Sequence, residues 1–246
     1  MLKLIPLGGL GEIGLNMMVV EYDDDMFIID AGLMFPEDYM LGVDIVIPAM
    51  DYIRENRRKI HGIIITHAHE DHIGALPYLL KEIRIPVYGT AFTLGIVRNK
   101  LVEFELNTRV DLNLVSPGEI LAMDPFEIEF IRVSHSTIEG VGLAIKTPEG
   151  GVIHTGDFRI SHNTDAMKNT DLSSFARYGE QGVLALLSDS TNVEVEGYTM
   201  SEQAVAKNLG KVISGAQGRV IVTLFASNVF RIQQVIDIAV KNGRKV

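Results

Sequence analysis

The chain is predicted to be an α/β protein of the α+β kind, and three observations predict it. Short β-branched and apolar runs at strand length dominate residues 1 to 190, several of them ending directly on a polar, ligand-type residue. One such run, Gly62 to Thr66, opens onto His67-Ala68-His69-Glu70-Asp71-His72, four potential metal ligands within six positions. After residue 192 the pattern changes to alternating helix and strand.

Composition bounds what the chain can be. At 246 residues it can bury roughly 70–75% of its unfolded surface. With 47% hydrophobic and 22% charged residues it has the make-up of a globular protein. No uncharged apolar run approaches the roughly 18 residues of a membrane span. Met1 to Gly14 is broken by Pro6 and glycines and has no signal-peptide cleavage pattern. The absence of cysteine excludes disulfides and thiolate ligands, so a metal must be held by imidazole and carboxylate, and it points to the cytoplasm. A formal net charge of −10 has the wrong sign for a protein that coats nucleic acid. The basic cluster of Arg54, Arg57, Arg58 and Lys59 reads as a solvated helix end ahead of an RNA patch.

In order along the chain, Lys3 to Leu7 reads as a strand followed by Gly8-Gly9-Leu10-Gly11-Glu12-Ile13-Gly14. Those glycines match a dinucleotide fingerprint, but Asn16 to Tyr22 reads as a strand where the fingerprint requires a helix. The glycines are therefore expected to form a turn near an active site. Met26 to Ile29 returns as a strand ending on Asp30, either a turn former or a carboxylate that steadies the metal loop through hydrogen bonds. Ala49 to Arg58 reads as a helix.

Past the strand of Gly62 to Thr66 the backbone is still extended, so His67 and His69 point to one side and can grip one ion. Asp71 and His72 lie where a helix over Ile73 to Lys81 begins, and can face a second ion; a spacing of about 3.5–4 Å suits two-metal hydrolysis. One histidine at a strand end is usually packed or superficial. Four ligand-type residues at this spacing would cost desolvation with no return unless a cation sat among them. A zincin reading fails, because its two histidines must be four apart on a helix.

Val87 to Gly89 reads as a strand and Ala91 to Leu106 as a helix with Phe92, Ile96 and Val97 apolar. Arg109 to Val115 and Phe126 to Val133 are strands, the latter delivering Ser134-His135-Ser136. Val141 to Lys146 and Gly151 to His154 make a hairpin that delivers Thr155-Gly156-Asp157, and Val183 to Leu187 delivers Ser188-Asp189-Ser190. Strand ends of this kind form an active-site rim. A capping box at Thr199 to Glu202 opens a helix to about Ser214; Arg219 to Phe225 reads as a buried strand and Asn228 to Lys241 as a helix closed by Gly243. His61, His154 and His162 fit no motif, and His154 reads as packed.

Asp30, the His67 to His72 run, His135 and Asp157 together resemble the successive motifs of the metallo-β-lactamase superfamily. The flanking segments Gly8 to Gly14, Asp30 to Glu37 and Ser188 to Asn192 resemble the ribonuclease J family of β-CASP nucleases over essentially the whole chain. The resemblance implies an αββα sandwich over residues 1–196 and the beginning of an inserted β-CASP domain over 197–246. It implies two divalent cations, zinc ahead of manganese: His67, His69 and His135 on the first, Asp71 and His72 on the second, Asp157 bridging both. Asp189 would be an acid near the metals, with a turn or cap as its alternative role, and Asp30 a support. It further implies cleavage of single-stranded, 5′-monophosphorylated RNA, endonucleolytically and 5′-to-3′ exonucleolytically, in RNA processing and decay in the cytoplasm, by a homo-oligomer without membrane attachment. Another histidine and a 5′-phosphate pocket would come from a later return segment, so the chain is expected to be an N-terminal fragment with an incomplete second site. The rival functions are a small ester, thioester or lactam hydrolase and a non-catalytic RNA-binding scaffold.

Overall fold

The computed structural model describes residues 1–160, 169–197 and 200–246. Two mixed sheets face each other. The first runs in the order β1 (Leu2–Gly8), β2 (Met17–Tyr22), β3 (Asp25–Ile29), β4 (Ile60–Ile64), β5 (Val87–Gly89), β6 (Leu112–Leu114). Its first three strands are antiparallel, and β3 to β6 are parallel. The second runs β11 (Ala185–Leu187), β10 (Gly150–His154), β9 (Val141–Thr147), β8 (Phe126–Arg132), β7 (Ile120–Met123), all antiparallel except β10 with β11.

Strand alternation divides the apolar residues between two cores. Val20, Phe27, Ile29 and Ile64 point between the sheets, against Phe126, Ile128, Phe130, Leu143, Ile145 and Val152. Their neighbours Val19, Ile28 and Ile63 point the other way, onto Ile53 of α1 (Asp51–Asn56), Leu76 and Leu79 of α3 (Leu76–Glu82), and Leu94 and Val97 of α4 (Ala91–Glu103). On the outer face of the second sheet, Ile131, Ala144 and Ile153 pack beneath Phe175 and Tyr178 of α5 (Leu172–Gln181). The result is the expected αββα layering, and among the described residues no helix is long and apolar enough to cross a membrane.

Several elements differ from expectation, each for a local reason. The helix expected over Ile73 to Lys81 is two pieces, α2 (Glu70–Ile73) and α3, so Asp71 and His72 are themselves helical. On α4 the buried face is Thr93, Leu94, Val97 and Leu101 rather than Phe92 and Ile96. Edge strand β7 and helix α5 were not anticipated. α5 carries few apolar residues, and is anchored by Arg177 and Tyr178 on Glu129, whose carboxylate oxygens lie 2.6 and 2.5 Å away. That cover buries Glu129 on a face its alternation would leave wet. The strand expected over Arg219 to Phe225 does not form: among the described residues no strand runs beside it to share a ladder, and Ile221 and Phe225 are 83% and 84% exposed. Helix α6 (Glu202–Gly215) is capped by Ser201, whose side chain accepts from the Ala204 amide. The capping role read for Thr199 lies outside the described residues, as does His162. Helix α7 (Val229–Lys241) runs as expected.

Candidate metal centre

The site collects where strands of both sheets end. β4 delivers Thr66 and His67, α2 carries Asp71 and His72, and the loops after β8 and β10 bring His135 and Asp157. A main-chain bond from Val141 to the Thr66 carbonyl, 3.0 Å, ties the two sheets together at this edge.

Six predicted residues converge in two groups that share Asp157. His67, His69, His135 and Asp157 form one; Asp71, His72 and Asp157 form the other. In the first, His69 Nδ1 lies 3.0 Å from His67 Nε2 and 3.2 Å from His135 Nε2, and Asp157 Oδ2 lies 3.9 and 3.5 Å from those two Nε2 atoms. The three rings stand edge-on around a common point with centroids 4.7 to 5.0 Å apart. In the second, His72 Nε2 lies 3.6 Å from Asp71 Oδ2 and 3.4 Å from Asp157 Oδ1. Bonds of about 2.0–2.1 Å at tetrahedral angles put ligand atoms about 3.3 Å apart, so both groups are spaced to hold a divalent cation.

Electrostatics favour the same reading. Burial pushes His67 well below the ordinary histidine value, helped by the neighbouring imidazoles. Burial likewise takes His135 down to about 4, despite Asp157. Neutral rings at pH 7 leave lone pairs for a cation. Burial acts to raise Asp157, but the hydrogen bond and charge of His72 and the other imidazoles outweigh it and pull the carboxyl down to about 2. His72 behaves oppositely: burial opposes its charge, yet Asp30 and Asp157 beside it lift it well above the ordinary value. A proton on His72 and a cation at Nε2 are therefore alternatives.

Asp30 lies in neither group. Its carboxylate accepts from the Thr66 amide and hydroxyl, both at 2.8 Å, and faces His72 Nδ1 at 2.7 Å. A proton held on Nδ1 by Asp30 leaves the Nε2 lone pair aimed at Asp71 and Asp157. Gly32, two residues on, is needed for close approach: a Cβ there would sit 1.6 Å from the Asp71 carbonyl oxygen. Asp189 also stands outside both groups. Its carboxylate accepts from the amides of Phe158, at 3.4 Å, and Thr191, at 2.9 Å, so it ties the Asp157 loop to the turn after β11.

Two contributors escaped the sequence reading. Thr66 links Asp30 to the site, and Ser136 lies 3.3 Å from His69 Nε2, directing His69 to use Nδ1. Hydroxyl residues beside His67 and His135 were the available signal. His154 accepts from the Gly156 amide at 3.1 Å and belongs to neither group; His61 pairs with Asp25 at 2.6 Å on the surface. Arg54 and Lys59 are engaged by Glu82, Asp51 and Asp24, in keeping with a solvated helix end. A cleft of about 780 Å³ opens over Asp71, His72 and Asp157, walled by residues 8–14 and 188–195.

The chain matches the family profile described as the metallo-beta-lactamase superfamily over residues 10–197, and that of the ribonuclease J beta-CASP domain over residues 217–246. Ribonuclease J of Synechocystis sp. is 50% identical over the whole chain, which covers 39% of that protein. Ribonuclease J of Helicobacter pylori is 47% identical over 99% of the chain, covering 35% of that protein. The chain thus spans about two fifths or less of these relatives' length. A crystal structure of a protein of unknown function from Enterococcus faecalis superposes on 96% of the chain and 63% of its own, with a TM-score of 0.70 at 17% identity, a likeness of fold. The profile over residues 10–197 and the relatives aligned along the whole chain lead to one conclusion: the chain belongs to the metallo-beta-lactamase superfamily, and these two relatives are ribonuclease J proteins.

Proposed function

We propose that this chain forms the metal-binding part of a ribonuclease, a phosphodiesterase that cuts single-stranded RNA in RNA processing and decay. The observation that carries the proposal is the pair of ligand groups sharing Asp157, one oxygen turned to each. In this reading His67, His69 and His135 would hold one cation and Asp71 and His72 the other, with Asp157 a ligand common to both groups. Zinc and manganese both suit such a set of imidazoles and carboxylates, and zinc is proposed first. Two cations so held supply Lewis acidity, activating water and neutralising charge on a scissile phosphate.

The chain's own residues do the rest. Asp30 fixes the His72 tautomer, Ser136 that of His69, and the low values of His67 and His135 keep their lone pairs available at neutral pH. Asp157 stays ionised throughout the physiological range. Asp71 and Asp157 give the cleft a negative floor, in a chain of net charge −10, so RNA approach is coupled to loading of the site. Similarity to ribonuclease J supports action at both internal positions and 5′-monophosphorylated ends, in the cytoplasm, with residues 1–196 and 197–246 as the two domain portions.

The test is cleavage of a labelled single-stranded RNA with zinc and with manganese, comparing the protein with His67→Ala and Asp157→Ala. Cutting that requires metal and falls to background in both variants is expected. Near-normal turnover in Asp157→Ala overturns the mechanism, and hydrolysis of a small ester or lactam with RNA left intact overturns the substrate.

A further inference from the structure

Asn16 stands at the junction of the glycine-rich segment and β2, and no motif marks it. Its main chain is tied into the site from both sides: its amide donates to the Asp71 carbonyl at 3.2 Å, and its carbonyl accepts from Gly32 at 2.9 Å. Its side-chain amide nitrogen lies 3.0 Å from the Asp71 carbonyl, 3.4 Å from Asp71 Oδ2 and 3.2 Å from His72 Nε2. An amide nitrogen has two N–H groups. One serves the Asp71 carbonyl. The other faces Asp71 Oδ2 and His72 Nε2, the two atoms that a cation in the second group would take.

A cation and an N–H donor compete for the single lone pair of His72 Nε2. Once that lone pair binds a cation, the second N–H of Asn16 keeps only the longer contact, 3.4 Å, to Asp71 Oδ2, while the main chain still holds the residue in place. A phosphate drawn to that cation brings an oxygen acceptor to the same spot. The space for Asn16 is reserved by Gly9, at φ +83°, where a Cβ would lie 2.7 Å from Asn16 Oδ1. Both residues line the cleft above Asp71 and His72.

We propose that Asn16 is a substrate-binding residue, whose side-chain amide donates to a phosphate oxygen at the second cation position. This deepens the phosphodiesterase reading and rests on it. It also gives the glycine-rich turn a function: the turn is shaped to seat an amide donor beside the metal centre.

The test uses zinc and uridine 5′-monophosphate as probes, titrated separately by calorimetry into the protein, Asn16→Ala and the isosteric Asn16→Asp. In Asn16→Ala, both ions are expected to bind as in the parent, while the nucleotide binds the loaded site about tenfold more weakly, the loss of one hydrogen bond to an anion. Asn16→Asp, which keeps the volume but replaces the donor with a charge, is expected to tighten the second ion and weaken the nucleotide further. Unchanged nucleotide affinity in Asn16→Ala overturns the proposal, as does a parent protein that binds zinc but no nucleotide. Loss of the second ion in Asn16→Ala also overturns it, because Asn16 is then a prop for the metal loop. RNA cleavage is measured in parallel: a parent that leaves RNA intact, yet binds the nucleotide through Asn16, defeats the nuclease reading and spares this one.

Discussion

Replacing Asp30 by Asn isolates what one buried charge does for the second ion. Asp30 is 1% exposed and sits at φ +59°, a left-handed conformation that Asn tolerates, so the backbone need not move. Of the three contacts to its carboxylate, the one from the Thr66 amide survives on the remaining oxygen. The new amide nitrogen faces Thr66 Oγ1, which can rotate to accept, and His72 Nδ1, now 2.7 Å from a donor rather than an acceptor. His72 must then accept at Nδ1 and carry its proton on Nε2, the atom turned toward Asp71 and Asp157. Losing an orienting carboxylate behind a metal-binding histidine costs roughly 10–100-fold in affinity. The lost charge-assisted hydrogen bond also removes about 1.5–3 kcal/mol of stability. Zinc titration calorimetry and urea unfolding of Asp30→Asn measure the two effects. The second ion is expected to weaken by that factor and the first to be unaffected. Equal weakening of both ions, or none, refutes the argument that Asp30 acts through the His72 tautomer.

Proton release separates the two ion positions. His72 is held above the ordinary histidine value and must lose a proton to accept a cation, so second-ion affinity falls as pH drops, by about tenfold per unit below its raised value. His135, at about 4, and His67 are already neutral, so first-ion affinity is flat near pH 7; calorimetry in buffers of different ionisation enthalpy is expected to find a proton released with only one of the ions. Gly32→Ala forces a methyl against the Asp71 carbonyl, 1.6 Å away, and is expected to abolish tight binding of the second ion; retention of two ions by elemental analysis contradicts this. Phe126→Ala empties a site between the sheets, where the ring meets Phe27 edge-on at 5.0 Å, and is expected to cost about 3–5 kcal/mol in urea unfolding; a loss below about 1 kcal/mol argues against a shared core there.

Local chemistry made much of the site legible. A strand ending on His67-Ala68-His69-Glu70-Asp71-His72 carries its ligands on one short segment, and their spacing alone restricts what they can do. His135 and Asp157 announced themselves as polar residues directly after apolar strands, and likeness to a family supplied their roles. Thr66 and Ser136 were marked only by adjoining His67 and His135, and Asn16 carried no mark, because what distinguishes it is a neighbour distant in sequence: Asn16 meets His72 across 56 positions. Asp189 followed a strand as the others did, yet its carboxylate turns to the amides of Phe158 and Thr191.

The same division holds for the fold. Strands such as β2, β3 and β8 are legible because half of each is buried and the period of two survives in the residues themselves. Helix α5 is not, because its place depends on Phe175, Tyr178 and a polar anchor on Glu129, a residue on another element. The apolar run from Arg219 to Phe225 has strand propensity but, among the described residues, no strand beside it, and pairing is a property of two segments. By itself the sequence determined which groups could bind a cation and which segments could be strands, since both rest on residues near one another along the chain. Only the tertiary structure decided which of those groups converge, which polar partners face His69 and His72, and that Asn16 lies beside Asp71 and His72, because distances and hydrogen bonds between remote segments exist only once the two sheets have packed.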